Sequence, residues 1–310
     1  MIPRFFFMKH EDAGLERIGA GGILRFLGAP APEVFVRRYV AHFAGIAAQP
    51  EGQEGLVLVR PGDIIVLEGP AGPYCQWHSG RLDERGDPLG RRYCTSEAKG
   101  ELGFCQEHAR SEHALYYMCF ASVGRVPKEC EELDRLMGNS VEYAVYVVAV
   151  GRGKLKVGST RLWRLVERIG EQPHVLAAAV KLTRSAVEAR RLEARLGEVE
   201  GFSEQPGRRT FQRAREDLGA AAMSILSGIE KASKALGEDL GATELFRVEP
   251  GEPEVARGAR EAELGELLGR RLELLGYHMG YLFLGIPGSS DRLAIRGGGL
   301  LHGHAIKLSR

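Results

Sequence analysis

The sequence predicts an α+β fold: a β-rich N-terminal part and C-terminal strands around a Cys-rich insert and an α/β core, with additional helices. Three observations predict it. Short apolar runs flanking Pro-Gly turns occupy both ends of the chain. All five Cys fall between residues 75 and 130, where hydrophobic periodicity disappears. From residue 140 to 205 the pattern reads strand, turn, strand, helix, strand, helix. With 310 residues, 44% hydrophobic and 27% charged, the chain can build two or three packed modules.

Residues 1–70 form the predicted β-rich domain. Gly22–Leu27 and Val34–Val40 read as strands, and Leu56–Arg60 with Ile64–Leu67 as a hairpin around Pro61-Gly62-Asp63. Residues 71–130 are rich in Pro and Gly and need a support other than an apolar core. In the α/β core (140–205) the strands are Tyr143–Val150, Lys154–Thr160 and Val175–Leu182. The first helix carries Leu162, Leu165, Val166 and Ile169 on one stripe and Arg161, Arg164 and Arg168 beside it. The second opens on a capping box, Ser185-x-x-Glu188, and places Glu193 at the rim of its apolar face.

Residues 206–275 read as helical: Thr210–Leu240 with Leu218, Ala222, Ile225, Ile229 and Ala232 inward, a linker at Glu249–Glu254, then Val255–Leu275 stopped by Gly276. The last segment (276–310) returns to strands at Tyr281–Leu284, Arg292–Ile295 and His304–Leu308. Its Pro287-Gly288 turn echoes the first hairpin, so N- and C-terminal strands are expected to share one sheet or barrel.

Net charge is +1, which excludes a global field that recruits nucleic acid. Residues 152–215, however, hold 15 Lys/Arg against 7 Asp/Glu, a local excess of 8, and the rest of the chain sums to −7. A basic module in an acidic frame suits an anionic ligand; a solvated Arg-rich face would look alike. No apolar run reaches the ~18 residues of a membrane span, and the N-terminal apolar stretch is too short for a signal peptide, so a cytoplasmic protein with no membrane partner is expected. There, Cys favours metal over disulfides. Cys119 and Cys130 have no ligand-spaced neighbours and read as small core residues. Asn139 is the only Asn, a thermophile-like depletion.

Val145-Tyr146-Val147, Lys156-Val157-Gly158, Arg168 and Glu193 follow the order of the GIY-YIG nuclease core, which this stretch resembles. Lys156 stands where that family has its second Tyr. The resemblance implies a phosphodiesterase in which Glu193 holds Mg²⁺ or Mn²⁺, Arg168 stabilises phosphate charge, Tyr146 orients water, and Lys156 acts as base or phosphate cation. Most of the chain also resembles an uncharacterised archaeal and bacterial family, a domain of unknown function. In it a zinc knuckle precedes a V-Y-L-A, K-V-G-x-T-R and R-W-x-x-Q series, matched here by Val145–Val148, Lys156–Arg161 and Arg168 with Gln172.

Cys75-x-x-His78 and Cys105-x-x-His108 are knuckles whose spacing lets one turn deliver two zinc ligands. With Cys94 between them, five candidates compete for four positions of a structural site. Pairing the knuckles gives Cys75, His78, Cys105 and His108. The family resemblance implies Cys75, Cys94, Cys105 and His108 instead. Of the other histidines, His302 and His304 share one strand face but lack acid or Cys neighbours, and read as structural. Two function classes follow. The first is a zinc-stabilised module gripping nucleic acid (RNA, a ribonucleoprotein or the ribosome before DNA) through Lys156, Arg161, Arg164 and Arg168. The second is a GIY-YIG-type nuclease.

Overall fold

Long-range strand pairing, more than local turns, organises the chain. The computed structural model describes residues 1–19, 33–99, 102–151, 153–204, 217–301 and 304–309. Strand β1 (Ile2–Gly19) pairs antiparallel with β2 (Glu33–Gln49) along almost its full length, with three register shifts that bend the ribbon. The other edge of β2 takes β3 (Val57–Val59) antiparallel and β9 (Leu245–Pro250) parallel. Beyond β9 the sheet continues through β7 (Leu176–Thr183), β5 (Tyr143–Ala149), β6 (Leu155–Arg161) and β8 (Phe202–Ser203).

Central strand β5 is buried at every residue, and period-two alternation sends its side chains into two cores. Tyr143, Val145 and Val147 pack with helices α4 (Ala186–Glu198) and α5 (Leu218–Leu236). Ala144, Tyr146 and Val148 pack with Leu165 and Ile169 of the short helix α3 (Leu165–Gly170) and with Phe246 and Val248 of β9. Ser185 caps α4 by accepting from the Glu188 N–H at 3.1 Å. Asp134, at the end of α2 (Glu129–Met137), adds two acceptors for the α4 amides of Ala186 and Val187, at 2.6 and 3.2 Å. A Cys119–Cys130 disulfide ties α2 to α1 (Glu112–Ala121), correcting the expectation that both were lone core thiols.

The second sheet runs β10 (Arg260–Glu261), β13 (Arg292–Arg296), β12 (Tyr281–Gly285), β11 (Arg271–His278), β4 (Ile64–Pro70) and β14 (His304–Leu308). N- and C-terminal strands therefore do share a sheet, since β4 lies between β11 and β14. Met1 closes the ends by exchanging backbone hydrogen bonds with Ile306. A short helix, α6 (Gly297–Leu301), follows β13.

Three expectations are corrected. The Leu56–Leu67 hairpin does not form, because β3 and β4 enter different sheets. The Pro61–Asp63 turn is caught by β11 instead, with Gly62 N–H donating to the Leu274 carbonyl at 2.7 Å. The helix over Val255–Leu275 is replaced by two short 3-10 turns and strand β11, whose alternating burial has period two, not 3.6. Gly276 is no helix stop; it lies inside β11, where a Cβ would come within 2.9 Å of Val255. Arg161 ends strand β6 and is followed by a 3-10 turn (Leu162–Arg164), so the first helix begins only at Leu165. The expected strand Gly22–Leu27, the start of the Thr210 helix and His302 lie outside the described residues.

Candidate functional site

The insert gathers a small apolar cluster, Phe104 and Ala114 with Trp77 and Met118 against them, around its cysteines. Cys75, Cys94, Cys105 and His108 place their ligand atoms within 4.8 Å of one another. The closest approaches are Cys105 Sγ to His108 Nδ1 at 3.2 Å, Cys75 Sγ to His108 Nδ1 at 3.7 Å and Cys94 Sγ to Cys105 Sγ at 4.0 Å. A tetrahedral ion with metal–sulfur bonds of ~2.3 Å sets such edges at roughly 3.8 Å. The four could therefore hold a metal ion, and three soft thiolates with one imidazole suit a tetrahedral site. Trp77 stacks on His108 at 4.2 Å and fixes its ring. His78, the fifth candidate, is not in this set: its Nδ1 accepts from the Gly80 N–H at 3.0 Å, and its ring meets His113 edge-on at 4.2 Å. Among the described residues no second group of this kind gathers.

Beside the insert lies a cleft of about 640 Å³, walled also by β1, α1 and the corner between β6 and α3. Six Arg line it (Arg4, Arg85, Arg91, Arg161, Arg164 and Arg168) against two Glu (Glu167 and Glu171), an excess of four positive charges. The carboxylates are taken. Glu171 pairs with Arg164 and Arg168 at 2.9 Å each, and Glu167 with Arg85 at 2.9 Å. Arg91 and Arg161 have no carboxylate partner among the described residues, and the Nε of each is buried without an acceptor. Arg161 is only 7% exposed. Its guanidinium lies between the rings of Tyr116 and Trp163, 4.6 Å from each centroid. Burial would raise the Tyr116 hydroxyl, but Arg161, Arg164 and Arg168 outweigh it and leave the group below its ordinary value. Burial, then Arg85, pushes His10 down to about 4, so that ring is neutral at pH 7.

Arg4 joins cleft to insert. It donates to the carbonyls of Cys75 and Cys94 at 2.9 and 3.1 Å, donates to Gln49 Oε1 through Nε at 2.8 Å, and lies over the Tyr93 ring.

Behind the cleft stands the row expected from the second motif. Tyr146 accepts from Gln172 Nε2 at 3.1 Å, and Gln172 Oε1 accepts from Lys156 Nζ. Burial, then the nearby Arg168 charge, pushes Lys156 down to about 8. Gly158 is required here, since a Cβ would fall on the Tyr146 ring, 2.5 Å from Cζ. Tyr146, Lys156 and Arg168 thus come together; Glu193 is near enough for its charge to act on Tyr146 and Lys156, but its direct partners lie elsewhere. Ser159 alternates to the α4 side of β6, and Glu193 accepts its hydroxyl there together with the Arg190 guanidinium. Arg190, 1% exposed, also meets Glu204 at 3.6 Å and the Ser122 carbonyl. Burial raises the Glu193 carboxyl, with Arg190 and Ser159 opposing.

Sequence spacing missed Arg4, Arg91, Tyr116 and Trp163, which come from four separate segments. The one signal available was Arg161-Leu-Trp163-Arg164, a basic and aromatic cluster at a strand end.

No family model, no curated protein and no solved structure matches this chain.

Proposed function

We propose that this is a zinc-stabilised nucleic-acid-binding protein, with RNA or a ribonucleoprotein as the favoured partner. The observation that carries the reading is the cleft: six Arg against two Glu, interleaved with Tyr116 and Trp163. Guanidinium groups suit phosphate oxygens, and aromatic faces suit unpaired bases. The Cys75, Cys94, Cys105 and His108 set supports zinc through its thiolate and imidazole donors. With all four positions filled by protein, that ion's role is structural. Three thiolates and a divalent ion leave one negative charge beside Arg4.

The test is binding of labelled single-stranded RNA and DNA across salt. Affinity falls linearly in log–log form, with a slope of about −0.7 for each phosphate neutralised on a single strand. Arg161→Ala removes one such contact and weakens binding about tenfold. Equal binding by the parent and by a triple Ala variant at Arg161, Arg164 and Arg168 sinks the reading.

One observation favours a second reading, a phosphodiesterase of GIY-YIG type using Mg²⁺ or Mn²⁺. Lys156, pushed down to about 8, lies in one hydrogen-bonded row with Tyr146. A lysine so placed can act as a base near neutral pH. This reading requires Glu193 to leave Arg190 and Ser159. Divalent-dependent cleavage that Lys156→Met abolishes would place it first.

A further inference from the structure

The cleft narrows the ligand beyond its chemical class. Its volume, about 640 Å³, falls within the roughly 300–1,000 Å³ of small-molecule sites. That is the scale of a nucleotide, not of paired strands. Its charges are also unevenly balanced. Glu167 and Glu171 occupy Arg85, Arg164 and Arg168, whereas buried Arg161 feels the Arg91 charge with no carboxylate partner among the described residues, and half-buried Arg91, also without a carboxylate, donates to the Arg85 carbonyl at 2.7 Å. Leaving a buried cation unpaired is costly, and a buried Nε without an acceptor adds to that cost. Both groups have the Nε aligned with nothing, and both line the same cleft. An entering anion relieves both. An internal phosphodiester brings a single negative charge, but a terminal phosphomonoester brings about −1.5 to −2 at pH 7, together with three acceptor oxygens. The monoester is thus the group that matches two neighbouring guanidinium groups without a carboxylate partner among the described residues.

We propose that the cleft captures a phosphomonoester at the end of a single nucleic-acid strand, seated between Arg91 and Arg161, with the terminal base against the aromatic wall. The wall offers Tyr117, 41% exposed on α1, and Trp163, whose indole N–H is anchored on the Leu82 carbonyl at 2.9 Å. Base–aromatic stacking tolerates any base, so the capture reads the end and not the sequence. This inference rests on the nucleic-acid reading above, and the same phosphate chemistry also occurs on free nucleoside monophosphates.

The experiment uses the unaltered, metal-loaded protein and fluorescence competition with five probes of one sequence: single strands with a 5′-phosphate, a 3′-phosphate or hydroxyl ends, a blunt phosphorylated duplex, and the matching nucleoside monophosphate. One of the two phosphorylated strands is expected to bind about tenfold more tightly than the hydroxyl-ended strand and the duplex. Arg161→Lys, which keeps the charge but loses the planar fork, should erase that preference while retaining salt-dependent binding to all strands. Hydroxyl-ended and phosphorylated strands binding equally overturn end capture and leave the nucleic-acid reading standing. Tight binding of the monophosphate alone, with no strand bound, overturns both the strand assignment and the nucleic-acid reading. No binding of any probe overturns both as well.

Discussion

Glu193 shows how a side chain's partners decide its role. A carboxylate expected to hold a divalent ion instead neutralises Arg190, the largest fully buried side chain, and receives the Ser159 hydroxyl. Glu193→Gln leaves that guanidinium with Glu204, at 3.6 Å, as its remaining carboxylate, so unfolding stability should drop by about 1.5–3 kcal/mol in urea titrations. No measurable loss would return Glu193 to the pool of ion ligands. Lys156 predicts a pH signature. Its ordinary value of 10.5 falls to about 8 in the fold, through burial first and Arg168 second. Between about 8 and 10.5 the unfolded chain holds more protons on this residue, so stability rises with pH across that window. Below about 8 both states are protonated and the penalty is constant. The stability difference between Lys156→Met and the parent should therefore be largest below pH 8 and shrink towards 10.5; a difference flat across that range refutes the shift. Tyr146, Lys156 and Arg168 were named together through the order of the GIY-YIG motifs, which the local strand and helix patterns carry. The pairing of Glu193 was not legible, because a helical position names a face and not the Arg that shares it.

At the scale of elements, what local periodicity governs came through, and what distant partners govern did not. β5, β6, β7 and α4 follow their apolar patterns within a residue or two. Long β1 was missed because three register shifts break its alternation. β11 was hidden under Leu264, Leu267 and Leu268, whose spacing imitates a helix although Gly265 and Gly269 interrupt it. The α1–α2 disulfide escaped notice because a separation of 11 residues carries no pairing rule of its own. Replacing both Cys119 and Cys130 by Ala should lower stability by about 2–3 kcal/mol, the range for closing a short loop. Tyr116, Tyr117 and Phe120 lie on α1, so strand affinity should fall in the same variant. Unfolding curves that superimpose on the parent's would show that the bond carries no stability.

For the whole molecule, the consequential contact is Arg4, which ties the metal cluster to the cleft. The cleft draws on residues from Pro3 in β1 to Leu301 in α6, and no window of sequence contains it. Charge counting located only its Arg161–Arg168 side. Since the carbonyls that hold Arg4 belong to Cys75 and Cys94, an ion bound by their side chains would brace one wall, and its removal would free it. Chelation should lower strand affinity at least about tenfold while the far-ultraviolet signal of the central sheet persists. Full affinity in metal-free protein would show that the insert is a bystander. No helix among the described residues is long and apolar enough to cross a membrane.

The five thiols impose an order on the protein's assembly. All lie between residues 75 and 130; two are joined to each other, and three gather with His108 in a set that could hold a metal ion. In a newly made chain they are chemically alike, and exchange among them is governed by thiolate character and access, not by destination. An odd number cannot oxidise without leaving a stray sulfur or a wrong pair. Coordination of an ion by the set would withdraw three at once and leave one permissible partner for each of the remaining two. Such an ion would be a protecting group in the synthetic chemist's sense, fitted before the oxidant arrives.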